Sequence, residues 1–408
     1  MVAPNAAGEW RRAPMLPVAA ALGYATSVFH IYGLAPYIEP ISTSFGWSRT
    51  QTTVGLTIAT LVQAICSIPI GILVDRIGPR FLGLTGALLT AGAFALLGTA
   101  TGDATNWYLL WGVMAVATLP VQATIWTSAV ASRFEASRGM AFAVTLCGAS
   151  FAIAVFPLLG TKLIAAYGWR HALAVQAAMW IAVAWPVLFF FFRGADNRPA
   201  TGTAPAPADL TGMSFANGVR STVYLRLLIA SLLFTFTIVA LAVHFVPILT
   251  GRGFGKVEAA GLAGLVGIFS IIGRLGTGLL LDRFRGSLVG AAAFLLPVGG
   301  CLILIAGSQS SFAVAGAAAL IGLTLGSEID VVVYLVTRHF GLKSFGALYG
   351  GLLAALSLGT ATGPLTASYV FDRYGNYTPF LWITIGFMIA SSLSLASLPR
   401  PAFDAKTD

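Results

Sequence analysis

Charge is what this chain has least of. Only 9% of its 408 residues are Asp, Glu, Lys or Arg, where a soluble domain carries about 25%, so an aqueous surface of ordinary size is excluded. Cysteine is nearly absent too. Cys66, Cys147 and Cys301 each fall inside an apolar stretch, which excludes a disulfide framework and leaves them as small packing residues. There is no glycine-rich nucleotide loop, no cluster spaced to hold a metal, and no nucleophile beside a paired base. An enzyme is therefore not expected, and neither is a cofactor or a metal. A membrane sensor would need a soluble output domain, and the sequence shows no segment for one.

What fills the chain instead is apolar side chains, 57% of the residues, with a mean hydropathy of +0.87. Runs of about 20 apolar residues are long enough to cross roughly 30 Å of hydrocarbon as helix. Twelve recur, from 15–39 to 380–398. They lack the alternating polarity of barrel strands, so an all-α integral membrane protein of twelve spans is expected.

The chain is also doubled. GILVDRIGPR, 71–80, returns as GLLLDRFRGS, 278–287, at an offset of 207. SRFEASRGMA from Ser132 answers TRHFGLKSFGALYG from Thr337, and AYGW from Ala166 answers RYGN from Arg373, at nearly the same offset. Three echoes in order predict two pseudosymmetric six-helix bundles, a construction used by transporters. Between them runs RGADNRPATGTAPAPADLTG, too poor in apolar residues to fold by itself. The expected division is 1–193, a linker at 194–222, and 223–408.

The net charge of +9 does not point to nucleic acid, because the basic residues sit at span ends without interleaved aromatics. With both termini in the cytoplasm, sixteen of the 23 Lys and Arg lie on the cytoplasmic side and six outside, Arg274 being within a span. That is the positive-inside bias, and it predicts a cytoplasmic-membrane protein with both ends inside. Trp47, Trp107, Trp169, Tyr374, Tyr377 and Trp382 mark the outer ends of spans and are expected to form an interfacial belt. Gly346, Gly350, Gly351, Gly359 and Gly363 recur at a spacing that lets helix backbones approach.

Ionised residues inside spans cost roughly 2.5–3.5 kcal/mol each on insertion scales and call for a reason. Arg274 stands about two turns before Asp282 in the eighth span. Its permanently charged fork suits a carboxylate, either that of a substrate or that of Glu328 or Asp330 in the tenth span. Those two are about 200° apart around a helix. Asp330 shares a stripe with Ser327, Tyr334 and Thr337, which favours an aqueous path; Glu328 lies among Ile321, Thr324, Val331 and Leu335, which suits a buried pair or a proton. Both could instead bind loop arginines such as Arg283. His30 and His244, in the first and seventh spans, can carry protons or simply donate one hydrogen bond. Tyr32 lies beside His30, and Gln122 stands at the repeat position of Glu328.

GILVDRIGPR resembles the signature loop G-x-L-x-D-R-x-G-x-R of the major facilitator superfamily, with its degenerate partner after the eighth span, and the similarity extends over essentially the whole chain. The resemblance implies the twelve-helix major facilitator fold, monomeric, with alternating access. It implies a gating role for Gly71, Asp75, Arg76, Gly78 and Arg80, echoed by Asp282 and Arg283, with Asp75 and Arg76 latching the cytoplasmic side. FGWSRTQ, AYGWR, HFVPIL, IIGRLGTGLLLDR and SEIDVVVYLVTRHFG narrow the similarity to bacterial monocarboxylate and oxalate/formate porters. That branch implies a small organic acid as substrate, coupled to protons or exchanged for another anion, with Arg274 holding its carboxylate and the first and seventh spans lining the cavity. Two features depart from it: Ser270 stands where animal monocarboxylate carriers hold an aspartate, and neither the first nor the eleventh span has a lysine. A second expectation from the intramembrane carboxylates is proton-driven efflux of hydrophobic or cationic compounds.

Overall fold

The computed structural model describes residues 6–134, 137–194, 212–341 and 344–401, and among these the chain is mostly helical, with turns and short irregular links between helices and one isolated bridge between Gly212 and Gly341. The helices are α1 Ala6–Arg12, α2 Leu16–Ser27, α3 Phe29–Tyr32, α4 Ile38–Phe45, α5 Arg49–Ile77, α6 Pro79–Leu96, α7 Ala104–Ala117, α8 Ala123–Ala131 and α9 Arg138–Phe191. They continue as α10 Phe215–Val219, α11 Thr222–Thr250, α12 Lys256–Arg283, α13 Gly286–Ile305, α14 Ser311–Phe340, α15 Phe345–Tyr374 and α16 Thr378–Ala396.

Among the described residues seven helices are individually long and apolar enough to span a bilayer, and two further spans are bent pairs. The first pair joins α2 to the α3–α4 stretch with a 49° bend, and the second joins α7 to α8 with a 42° bend. One of the seven, α9, is two spans run together: Gly168, at φ 70 and ψ 159, breaks it where only glycine sits without strain. The long helices α5 and α15 lie where the sequence places the second and eleventh of the twelve expected spans. In lipid a helix satisfies its own backbone polar groups, which is why so apolar a chain takes this form.

Sequence sets the helix ends. Ser48 and Gln51 form a reciprocal capping box at the start of α5, and Asp103 accepts from the Asn106 N–H to cap α7. Between α5 and α6 Gly78 takes φ 90, with Pro79 opening the next helix. That glycine of the signature loop is thus required by the turn itself.

The chain divides into two compact units, Met1–Arg198 with Val243–Gly267, and Pro199–Ala242 with Ile268–Asp408. In the first, α2 and α6 pack on α9, and Trp126 is fully buried with its indole N–H donated to the Val121 carbonyl at 2.7 Å. The ring fits because Gly23 and Gly83 lack the Cβ that would collide with it. In the second unit α13 packs on α14 and α16, and Gly359 and Gly363 bring α15 against the α11 backbone at Leu232 and Phe236. Gly351 meets Tyr224, whereas Gly350 faces open space. Most of the expected linker, 195–211, lies outside the described residues.

The aromatic belt is narrower than expected. Tyr374 and Trp382 are exposed, but Trp107 and Tyr377 are buried, as is Trp169. Trp107 donates to the Thr52 carbonyl and Trp169 to the Ser44 hydroxyl. An indole that reaches a protein acceptor gains nothing by turning to the headgroups.

Candidate functional site

The site in the second unit begins with two glycines. A Cβ on Gly326 would collide with the Ser270 carbonyl, and one on Gly273 with that of Leu323, so α12 and α14 cross backbone to backbone. Hydroxyls lace the crossing, with Thr277 donating to Ser327 at 2.6 Å. Close approach at this level delivers the residue after Gly273 to the α14 wall.

That residue is Arg274, 6% exposed. Its Nη1 lies 3.5 Å from Asp330 Oδ2, at the limit of hydrogen-bonding distance, and neither atom has a hydrogen-bond partner. Nε is likewise unpartnered. A guanidinium buried in a membrane helix with two of its nitrogens unspent has retained its capacity to grip an oxyanion. Asp330 keeps its side chain 30% exposed. Glu328 is buried, with Oε1 unpartnered, and the Arg274 charge acts on both carboxylates. Arg283 is exposed and does not take the place of Arg274 as the partner of Asp330. One group therefore joins Arg274, Asp330, Glu328, Ser327 and Thr277. Thr277 was legible only as the polar residue three positions past Arg274, on the same helical face.

The remaining substrate-binding candidates belong to the first unit. His30 and His244 are fully buried and Tyr32 nearly so, all in the first unit. Gln122 sits at the break between α7 and α8 and donates its amide to the Gln63 carbonyl at 3.3 Å, so part of its capacity ties α5 to the break. A buried pair that sequence reasoning missed is Tyr37 with Gln176, hydroxyl to Oε1 at 2.6 Å. Nothing in the spacing of two residues 139 positions apart signals it.

At the signature loop, Arg80 donates to the Phe189 carbonyl at 2.8 Å, satisfying an orphan acceptor near the C-terminus of α9. In the degenerate copy, Arg285 does the same to the Leu398 carbonyl at 2.5 Å, just past α16. The repeat thus keeps the capping arginine although its position has shifted. The side chains of Asp75, Arg76 and Asp282, and the surroundings of Gly71, lie outside the described residues.

Twelve membrane helices in two halves, with an unspent cation buried in one of them, define a multi-pass transporter. Residues 20–350 match the family model described as Major Facilitator Superfamily, and the chain belongs to that superfamily. It is a transporter and not an enzyme. Among curated relatives it is 26% identical over 375 residues to "Monocarboxylate transporter 13" of Bos taurus, covering 91% of this chain and 84% of that one. It is also 26% identical over 367 residues to the "Gallate transporter" of Pseudomonas putida, covering 78% of each. Of solved structures, a bacterial homolog of the human lysosomal transporter Spinster superposes with a TM-score of 0.64 at 17% identity, covering 94% of this chain and 93% of that one. At that identity the likeness is one of fold.

Proposed function

We propose that this transporter carries a small organic anion, a monocarboxylate or short dicarboxylate, by alternating access, and that Arg274 holds the carboxylate. The observation that carries the assignment is the guanidinium itself. It is buried, its one ion pair is long, and Nε and Nη1 have no acceptor. Transfer of such a group into a membrane span is costly, and a permanent structural role would be served best by close, bidentate pairing with a carboxylate. A 3.5 Å contact with Asp330 instead compensates the charge and leaves the fork for a second carboxylate. The names of the relatives support the same substrate class.

Asp330 acts as the counter-ion that substrate displaces, and Glu328 as the proton site. Transport is coupled to protons or to exchange of a second anion. The positive-inside bias supports a bacterial cytoplasmic-membrane protein with both termini inside, and the offset repeat supports a division into 1–193, a linker at 194–222, and 223–408. The unpartnered Oε1 of Glu328 favours one second function, proton-driven efflux of a cationic or hydrophobic compound.

The test is uptake of labelled mono- and dicarboxylates into proteoliposomes, wild type beside Arg274→Ala and Arg274→Lys, with and without a pH gradient. Saturable uptake lost in both variants is the expected result, because an ammonium cannot replace the bidentate fork. No flux of any acid through folded wild-type protein overturns the assignment and favours efflux.

A further inference from the structure

A cavity of about 190 Å³ lies wholly within the first unit. The turn before α4, α4 itself, α9, the end of α11 and the start of α12 each supply part of its wall. By the offset repeat α11 and α12 belong to the second half of the chain, yet Val243–Gly267 is part of the first unit, so the cavity needs nothing from outside it. Pro36, Ile164, Val246 and Val257 make its walls apolar. An apolar cavity of about 150 Å³ is enough to hold benzene, so this one has room for a small aromatic or branched aliphatic body.

Its polar groups are few and unequal. Glu39 and Lys256 both line it, and with side chains 39% and 65% exposed they stand where it meets solvent. Lys256 Nζ lies 3.4 Å from Glu39 Oε1. Exposed pairs of this kind contribute little to stability, so Glu39 is exchanged for another carboxylate at small cost. The two lining hydroxyls spend their protons on their own helices, Thr161 on the Pro157 carbonyl at 2.8 Å and Thr250 on the Pro247 carbonyl at 3.3 Å. Among the described lining residues, the Lys256 ammonium, with its three donors, is thus the side chain left to donate to a ligand. It also opens α12, whose N-terminal end carries the positive pole of the helix.

A cation at the mouth and apolar walls behind it suit an acid with a small apolar body. We infer that this cavity is a second organic-anion site, separate from Arg274, in which Lys256 takes the carboxylate in exchange for Glu39 and the walls take the body. The charge bias assigns this end of the spans to the outside, so the site receives acid from that side. It is complete within its own unit, as the Arg274 group is within the other. Its part in uptake rests on the proposed carriage of an organic acid; its affinity for an anion does not.

The probe is labelled benzoate, with the full-length protein in detergent for binding and in proteoliposomes for uptake. Arg274→Ala should keep saturable benzoate binding, and adding Lys256→Gln to it should abolish that binding. In uptake, Lys256→Gln alone should raise KM about fivefold and Glu39→Gln alone should lower it by a similar factor, the most that an exposed ion pair is worth, with kcat kept in both. Opposite directions mark a cation for which Glu39 and the acid compete. A pair that merely ties α4 to α12 loses the same contact in either variant, so KM shifts in one direction for both, or in neither, overturn the inference. So does a charge-swapped protein, Glu39→Lys with Lys256→Glu, that behaves as wild type. Binding already lost in Arg274→Ala, from protein that elutes monodisperse, overturns it as well. If wild type carries no acid while Arg274→Ala still binds benzoate through Lys256, the proposed function fails and the anion site stands; if neither flux nor binding is found, both fail.

Discussion

The crossing of α12 and α14 yields the sharpest test of how the site is assembled. Alanine at Gly326 would place a methyl against the Ser270 carbonyl and 2.7 Å from the Arg274 backbone nitrogen, while alanine at Gly273 would place one 2.7 Å from the Leu323 carbonyl carbon. Both obstacles are backbone and cannot swing aside as a side-chain end would. The helices must part, and overpacking of that kind costs typically about 1–3 kcal/mol. Parting also lengthens the contact between Arg274 and Asp330, already 3.5 Å, and separates the Thr277 and Ser327 hydroxyls. Gly276, three residues along the same helix, has nothing within 4 Å of its added Cβ and serves as the control. Thermal unfolding of the purified protein in detergent should show midpoints lowered by several degrees for Gly273→Ala and Gly326→Ala. Gly276→Ala should be unchanged or slightly raised, since alanine is the better helix former by about 1 kcal/mol. Transport should fall in the first two and persist in the third. Equal midpoints for all three would refute the backbone-to-backbone crossing and with it the account of how Arg274 is positioned.

Asp330→Asn removes the competitor for the guanidinium, so the apparent affinity for a transported carboxylate should rise several-fold while maximal rate falls; unchanged affinity in a concentration series would show that Asp330 and substrate do not share Arg274. Tyr37→Phe leaves the buried Gln176 acceptor without its donor and should cost about 1–2 kcal/mol. The same change in a Gln176→Leu background should cost clearly less, and a chemical-denaturation double-mutant cycle that sums additively would count against the pair. Arg80→Ala and Arg285→Ala each remove a helix-end cap and should lower the unfolding midpoint modestly. Their effect should shrink in high salt less than that of Lys256→Ala, which breaks an exposed ion pair of 3.4 Å with Glu39 of the sort worth about 0–1 kcal/mol.

Composition determined the membrane environment by itself, because so few charges cannot cover a chain of this length in water, and lipid then admits only helices that satisfy their own backbone. The offset repeat and the signature loop determined the superfamily, since Gly78 and Pro79 must make the turn between two spans and a turn is local. Arg274 was legible for a related reason: a charge inside an apolar run is conspicuous in one dimension. What it faces was not. The helical stripes gave Asp330 an aqueous path and left a buried pairing or a proton to Glu328, and only the α12–α14 crossing put the guanidinium beside Asp330 with two nitrogens unspent. Trp107 and Trp169 read as belt residues because a sequence records depth along the span and not the direction in which a side chain points. The meeting of Glu39 with Lys256 at one cavity left no trace in either neighbourhood, since a cavity forms only where several helices close around it at once.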